Sequence, residues 1–447
     1  MQSQIRTFSY PNGEIQRVHT ITLDNWESLD FLKLKYQEGA LDCFAHIYRK
    51  FLVPAQPWVF GNMVMFHIPE DLPIPFSYET SKYGVVADKL TAAAAAMEKG
   101  VKIIGGKPMF FDPKVKAFWQ TLEDRNSLHV ISGKLPVTTM IPVGNNTGYL
   151  SKTEQESSVK VNASFFIMDR FDCSTIYDHV GTPLGLLIKD GVVKNPPLFQ
   201  REALLVKTDG STCIVQPKIE DLKLEINGIC YEAGKNAAVY TRPERSRTPI
   251  SKGKKLVIIG NRVAAVYSGM QAKIPTSGFV LCPHGKCDAK PGDEVIYHGM
   301  EDVKFGIQVG NSIIRDGVKT ETFISRFYNI KALEKVPFPP SLYPLDFEKA
   351  RAARIALGAN KDGQPMILWA EGAGKLGYIP GKDSCGASLA EMAHICSEEG
   401  MVNAVNLDGG GSAQILVNNR RSLMISDRNP PHNTEAERPI PLGLIVR

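Results

Sequence analysis

The stretch SLAEMAHICSEEGMVNAVNLDGGGSAQILVNN, residues 388–419, carries a helix, two strands and a glycine loop in close succession. Ser388 followed three residues later by Glu391 is a capping box, which satisfies orphan donors at a helix start. Leu389, Met392, Ala393 and Cys396 then fall at helical spacing on one face, and Gly400 can close the helix in a left-handed conformation. Val402–Leu407 reads as a buried strand and Ala413–Val417 as a second one. Between them lies Asp408-Gly409-Gly410-Gly411-Ser412. Three glycines in a strand context are entropically costly. They allow positive φ angles and a close approach of backbone N–H groups to an anion, as in a nest. Asp408 and Ser412 flank that loop with a carboxylate and a hydroxyl; the simpler reading is a tight turn whose Asp caps the backbone.

Working outward, residues 159–300 carry short apolar runs ending in turn dipeptides. Leu184–Lys189 precedes Asp190-Gly191, Ala203–Lys207 precedes Asp209-Gly210, and Lys223–Ile226 precedes Asn227-Gly228. Such dipeptides between apolar runs are hairpin signals. Residues 136–160 contain Gly-Asn-Asn-Thr-Gly (144–148) and a polar run, Ser151–Ser158, which read as a connection. Upstream, Asp88–Gly100 is alanine-rich and reads as a helix, with Val101–Ile104 as a strand after it. These elements predict an α+β fold: a mixed, largely antiparallel sheet with a few packed helices over residues 136–447, plus an N-terminal accessory domain over 1–135.

Composition restricts the function classes. The chain has 447 residues, 43% hydrophobic and 22% charged, as in ordinary globular proteins. A net charge of +5 with no dense Lys/Arg block gives no case for a nucleic-acid partner. No run of 18 apolar residues occurs, so no membrane span is expected. No signal-peptide core follows Met1, which predicts a cytoplasmic protein if that start is native and an exported one if a leader was removed. The eight cysteines are dispersed, unlike a disulfide framework. Cys282-Pro-His284-Gly-Lys-Cys287 lacks the second pair a zinc site needs.

Several segments together resemble the phosphodiester glycosidase family. They are Asn406–Ser412; Asn162-Ala-Ser-Phe-Phe166, against an Asn-Gly-Gly-Phe-Phe strand end; Pro183–Gly191; Ile274–Leu281; Arg354–Gly358; and Glu437-Arg438-Pro439. All fall in family order across about 160–447. This sequence departs from the pattern at Ala163 and Ser164, and at Glu371, where Asp is usual. The family's export signal is also missing. The resemblance implies a hydrolase that cleaves a small-molecule or glycan sugar-1-phosphodiester to free sugar and a phosphomonoester. It implies no certain cofactor and leaves a divalent metal open.

Such a reaction passes through an oxocarbenium-like state that glycosidases manage with carboxyl groups. Asp408 is therefore the first candidate base or nucleophile, with Glu371 and Glu437 as further carboxylates. The leaving phosphate needs charge stabilisation more than protonation, which suits an arginine fork. Arg354 is the first candidate and Arg438 the second. Asn162 is a candidate ligand for a sugar hydroxyl, and Gly409, Gly410, Gly411 and Ser412 for the anion cradle. Two rivals stand beside this reading: a phosphodiesterase attacking phosphorus, and a catalytically silent glycan- or phosphate-binding module.

Overall fold

The computed structural model describes residues 1–34, the hairpin 101–110 apart from 105–106, 148–323 and 349–447. Short gaps fall between 169 and 180, and at 199–200, 243, 270, 375–376 and 429–436. The helix expected at 88–100 and most of the proposed accessory domain lie outside the described residues. Val101–Ile104 is a strand, as its sequence predicts, paired with Lys107–Phe110.

A seven-stranded sheet forms the centre. Its order is Gln2–Ser9, Ile15–Thr22, Pro365–Ala370, Arg354–Asn360, Met401–Asn406, Ser312–Arg315 and Val318–Lys319. A five-stranded sheet faces it, in the order Arg420–Arg421, Ile415–Val417, Val159–Asn162, Leu442–Val446 and Leu29–Lys33. Three further sheets of five, four and three strands hold the hairpins between residues 187 and 308. Side chains alternate between sheet faces with period two. Ile355, Leu357, Ile367, Trp369 and Val405 thus point into one large core, shared with Val161, Ile415 and Leu444 of the facing sheet. Ala356, Leu368 and Ala404 point the other way, onto Leu389, Met392, Ala393 and Cys396 of the helix Leu389–Glu398.

The expected α+β class is corrected here. The structure is mostly β, and every sheet is antiparallel. Leu389–Glu398 is the one α-helix among the described residues. Its capping box is the one read from sequence: the Glu391 amide donates to Ser388 Oγ at 3.2 Å, and the Ser388 amide to Glu391 Oε2 at 2.9 Å. The physical reason for the class lies in the turns. Asp190 (φ 49°) and Asn227 (φ 52°) take the left-handed conformation ahead of a glycine, which joins consecutive strands tightly and therefore antiparallel. A parallel sheet would need long crossovers, usually helical, and the described hairpins leave no room for them.

The first 34 residues are woven into both main sheets. Ile15–Thr22 pairs with Pro365–Ala370, and Leu29–Lys33 with Leu442–Val446. No helix among the described residues is long and apolar enough to cross a membrane.

Candidate active site

Antiparallel pairing brings several candidate residues to one edge of the central sheet. Arg354 opens its strand opposite Ala370, whose successor is Glu371, and Ala356 pairs with Asn406, two residues before Asp408. The chain leaves the sheet at Leu407, whose amide donates to Ile355 O at 2.8 Å. Asp408 is buried, and its amide donates to Ala163 O at 3.0 Å. Gly410–Ser412 then forms one 3-10 turn.

The three glycines serve three purposes. A Cβ on Gly409 would meet Ala353 O at 2.7 Å, so the backbone just ahead of the neighbouring strand excludes it. Gly410 has φ +58° and open space around its missing side chain. A Cβ on Gly411 would lie 2.2 Å from Arg438 Nη2 and 2.4 Å from Asp427 Oδ1. The amides of Gly410, Ser412 and Ala413 are spent on Ala353 O, Gly409 O and Gly410 O. Those of Gly409 and Gly411 donate to nothing among the described residues.

Asn162 straps the loop at both ends. Its Nδ2 donates to Asp408 O at 2.6 Å, and its Oδ1 accepts from the Gln414 amide at 2.9 Å. With one side-chain oxygen and nitrogen both engaged on backbone, it shapes the loop. Ser412 Oγ and both polar atoms of the Gln414 side chain are buried beside it without a partner among the described residues. Such groups are costly unless something polar meets them.

The two remaining carboxylates sit in different surroundings. Glu371 is buried, with Oε2 accepting from Arg17 Nε and Ser384 Oγ and Oε1 from the Met424 amide at 2.8 Å. Glu437 accepts from the Ser151 amide at 3.0 Å, the Ser151 hydroxyl and Arg421 Nη2 at 2.6 Å. Both are joints between distant segments. The two arginines also differ. Arg354 is buried, donating from Nε to Ala387 O at 3.1 Å and from Nη2 to Ala350 O at 2.9 Å. Arg438 is 29% exposed and lies against Gly411, in a bidentate pair with Asp427. Asp427 carries no sequence signal: it is eleven residues from its partner, in no motif. Among the described residues no three His, Cys, Asp or Glu side chains gather as a metal site.

Residues 228–447 match the model of the phosphodiester glycosidase family. The loop 408–412, Arg354, Glu371 and Glu437-Arg438 all fall inside the matched residues, whereas Asn162–Phe166 and Pro183–Gly191 fall before them. The mouse protein N-acetylglucosamine-1-phosphodiester alpha-N-acetylglucosaminidase is 35% identical over 81 residues, 18% of this chain and 14% of the mouse one. The human protein of the same name gives the same figures. The match thus spans about a seventh of these curated relatives. Among solved structures, a hypothetical protein from Synechocystis aligns with TM-score 0.44 and 18% identity, over 100% of this chain and 62% of that one. The zebrafish N-acetylglucosamine-1-phosphodiester alpha-N-acetylglucosaminidase catalytic domain, auto-inhibited by its pro-peptide, aligns with TM-score 0.38 and 14% identity, over 100% of this chain and 82% of that one. The likeness to the phosphodiester glycosidase family rests on the sequence matches.

Proposed function

We propose that this protein hydrolyses a sugar-1-phosphodiester at the anomeric carbon, releasing free sugar and a phosphomonoester. The observation that carries this reading is one cluster: the unpartnered amides of Gly409 and Gly411, the partly exposed guanidinium of Arg438 against Gly411, and the Asp408 carboxylate opening the same loop. Amides and a guanidinium suit an anion, and the carboxylate suits the positive charge that develops at the anomeric carbon.

In this reading the loop amides and Arg438 hold the phosphate, and Asp408 serves the sugar side as nucleophile or base. The bond between the anomeric carbon and the bridging oxygen breaks, and its electron pair stays on the phosphate. An oxygen from water bonds to the anomeric carbon, either directly or after a covalent sugar–Asp408 ester. A phosphate leaves without protonation, so one carboxylate and a cradle meet most of the chemical demand. That agrees with Glu371 and Glu437 being saturated by hydrogen bonds.

The test is turnover of glycosyl-1-phosphodiesters in oxygen-18 water. Label in the released sugar supports the reading. Label in the phosphate replaces it with attack at phosphorus, and binding without turnover replaces it with a silent module.

A further inference from the structure

We propose that Asp427 is a positioning residue that locks Arg438 against Gly411 and so presents the outer edge of its guanidinium to the substrate phosphate; this rests on the reading above. Arg438 donates from Nε to Asp427 Oδ2 at 2.9 Å and from Nη2 to Oδ1 at 3.1 Å. A guanidinium has five N–H donors in a rigid fork. This pair uses one on each of Nε and Nη2. Both Nη1 hydrogens and the second Nη2 hydrogen stay unspent among the described residues. They form the end-on edge that matches two phosphate oxygens.

The pair is wedged where Gly411 lacks a side chain. A Cβ there would lie 2.2 Å from Arg438 Nη2, 2.5 Å from Arg438 Cζ and 2.4 Å from Asp427 Oδ1. The third glycine therefore makes room for an ion pair and keeps the guanidinium beside its own free amide. Asp427 itself stands on a fixed platform. The next residue, Arg428, is buried and donates from Nη1 to Ile425 O at 2.8 Å and from Nη2 to Gly372 O at 3.1 Å and Asp383 Oδ1 at 2.6 Å. An arginine held this way has little freedom left to lose when an anion arrives, which is how preorganised donors favour a transition state.

The experiment compares Asp427→Asn, Gly411→Ala, Arg438→Ala and the double variant Asp427→Asn/Arg438→Ala in the full chain. Each is assayed for turnover of a glycosyl-1-phosphodiester, for inhibition by inorganic phosphate and by free sugar, and for its melting temperature with and without phosphate. Asp427→Asn should lower kcat/KM by about 10–100-fold and weaken phosphate inhibition by about tenfold, with sugar inhibition within about twofold of wild type. Gly411→Ala pushes aside only the far ends of two side chains. It should fold and show the same phosphate-specific loss, and so decides the matter if Asp427→Asn does not fold. The double variant should be no worse than Arg438→Ala alone, because coupled partners are not additive. Unchanged phosphate inhibition in Asp427→Asn or Gly411→Ala, or additive losses in the double variant, overturns the proposal. If the wild type turns over no phosphodiester, the functional reading fails; a phosphate-induced rise in melting temperature that Asp427→Asn abolishes still upholds the role of Asp427.

Discussion

Two places at the same edge of the central sheet treat their polar groups in opposite ways. At Glu371 every carboxylate oxygen is bonded, and the residue ties the second strand of the chain, through Arg17, to the segments at Ser384 and Met424. At the glycine loop two backbone amides, one edge of Arg438, the Ser412 hydroxyl and the Gln414 side-chain carboxamide stay unpartnered among the described residues. A buried polar group is normally satisfied. The first place is therefore a joint, complete in itself, and the second is the one proposed above to receive a phosphate. Charge and burial alone do not separate them, since Glu371 and Asp408 are both buried acids.

Removing residues 1–34 should have the largest effect. It strips two strands from the central sheet, one from the facing sheet, and Arg17 from Glu371. The expected outcome is loss of a cooperative melt and of near-UV circular dichroism. A shortened chain that still melts sharply would show that the joint is dispensable.

Asp408→Asn comes next. It should lower kcat by at least about a hundredfold, the range of a lost general base, with the melting temperature nearly unchanged. Near-wild-type turnover would move Asp408 to the structural side of the comparison.

Glu371→Ala should do the reverse. A broken buried ion pair costs about 3–5 kcal/mol, and the one-quarter exposure of Arg17 lowers the expectation to about 2–3 kcal/mol in urea denaturation. The protein that remains folded should keep its kcat. A large loss of kcat at full stability would make Glu371 part of the chemistry.

Arg354→Lys should cost about 1–2 kcal/mol, because its bonds to the Ala387 and Ala350 carbonyls hold the strand start. Inhibition by free sugar and by phosphate should then shift together. A phosphate-specific loss would restore Arg354 as the phosphate ligand.

The smallest effect concerns His19, which sits between Ser3 Oγ at 2.7 Å and Ser422 Oγ at 2.6 Å, on the strand that carries Arg17. Burial lowers its pKa. A base whose folded pKa lies below its unfolded one stabilises the fold above the unfolded pKa, and that contribution shrinks as pH falls. Melting temperature should therefore drop on acidification from pH 7 to pH 5, and less steeply in His19→Asn. Parallel curves for the two proteins would remove His19 from the joint.

Local signals were legible along the chain. The capping box at Ser388 and Glu391, the hairpin turns at Asp190-Gly191 and Asn227-Gly228, and the strand–loop–strand around Asp408 depend on neighbours a few residues apart, so sequence spacing expresses them. Helix content was less legible. One well-capped helix suggested a helical layer, whereas among the described residues that helix alone covers the second face of the central sheet and the other strands pack sheet on sheet.

Spacing along the chain expressed the hairpin turns, the capped helix and the strands on either side of Asp408, and the backbone freedom of its loop, but not the three strands of residues 1–34. Which candidates are spent depends on contacts between segments far apart in the chain. Asn162 uses its amide on the loop backbone, Glu371 finds Arg17 from 354 residues away, and Glu437 finds Ser151 from 286. The tertiary structure also decided that Arg438 takes Asp427 as its partner and the space of Gly411 as its seat. A carboxylate's role depends on how many donors reach it, and those donors come from strands whose pairing is non-local. No spacing rule along the chain encodes that count.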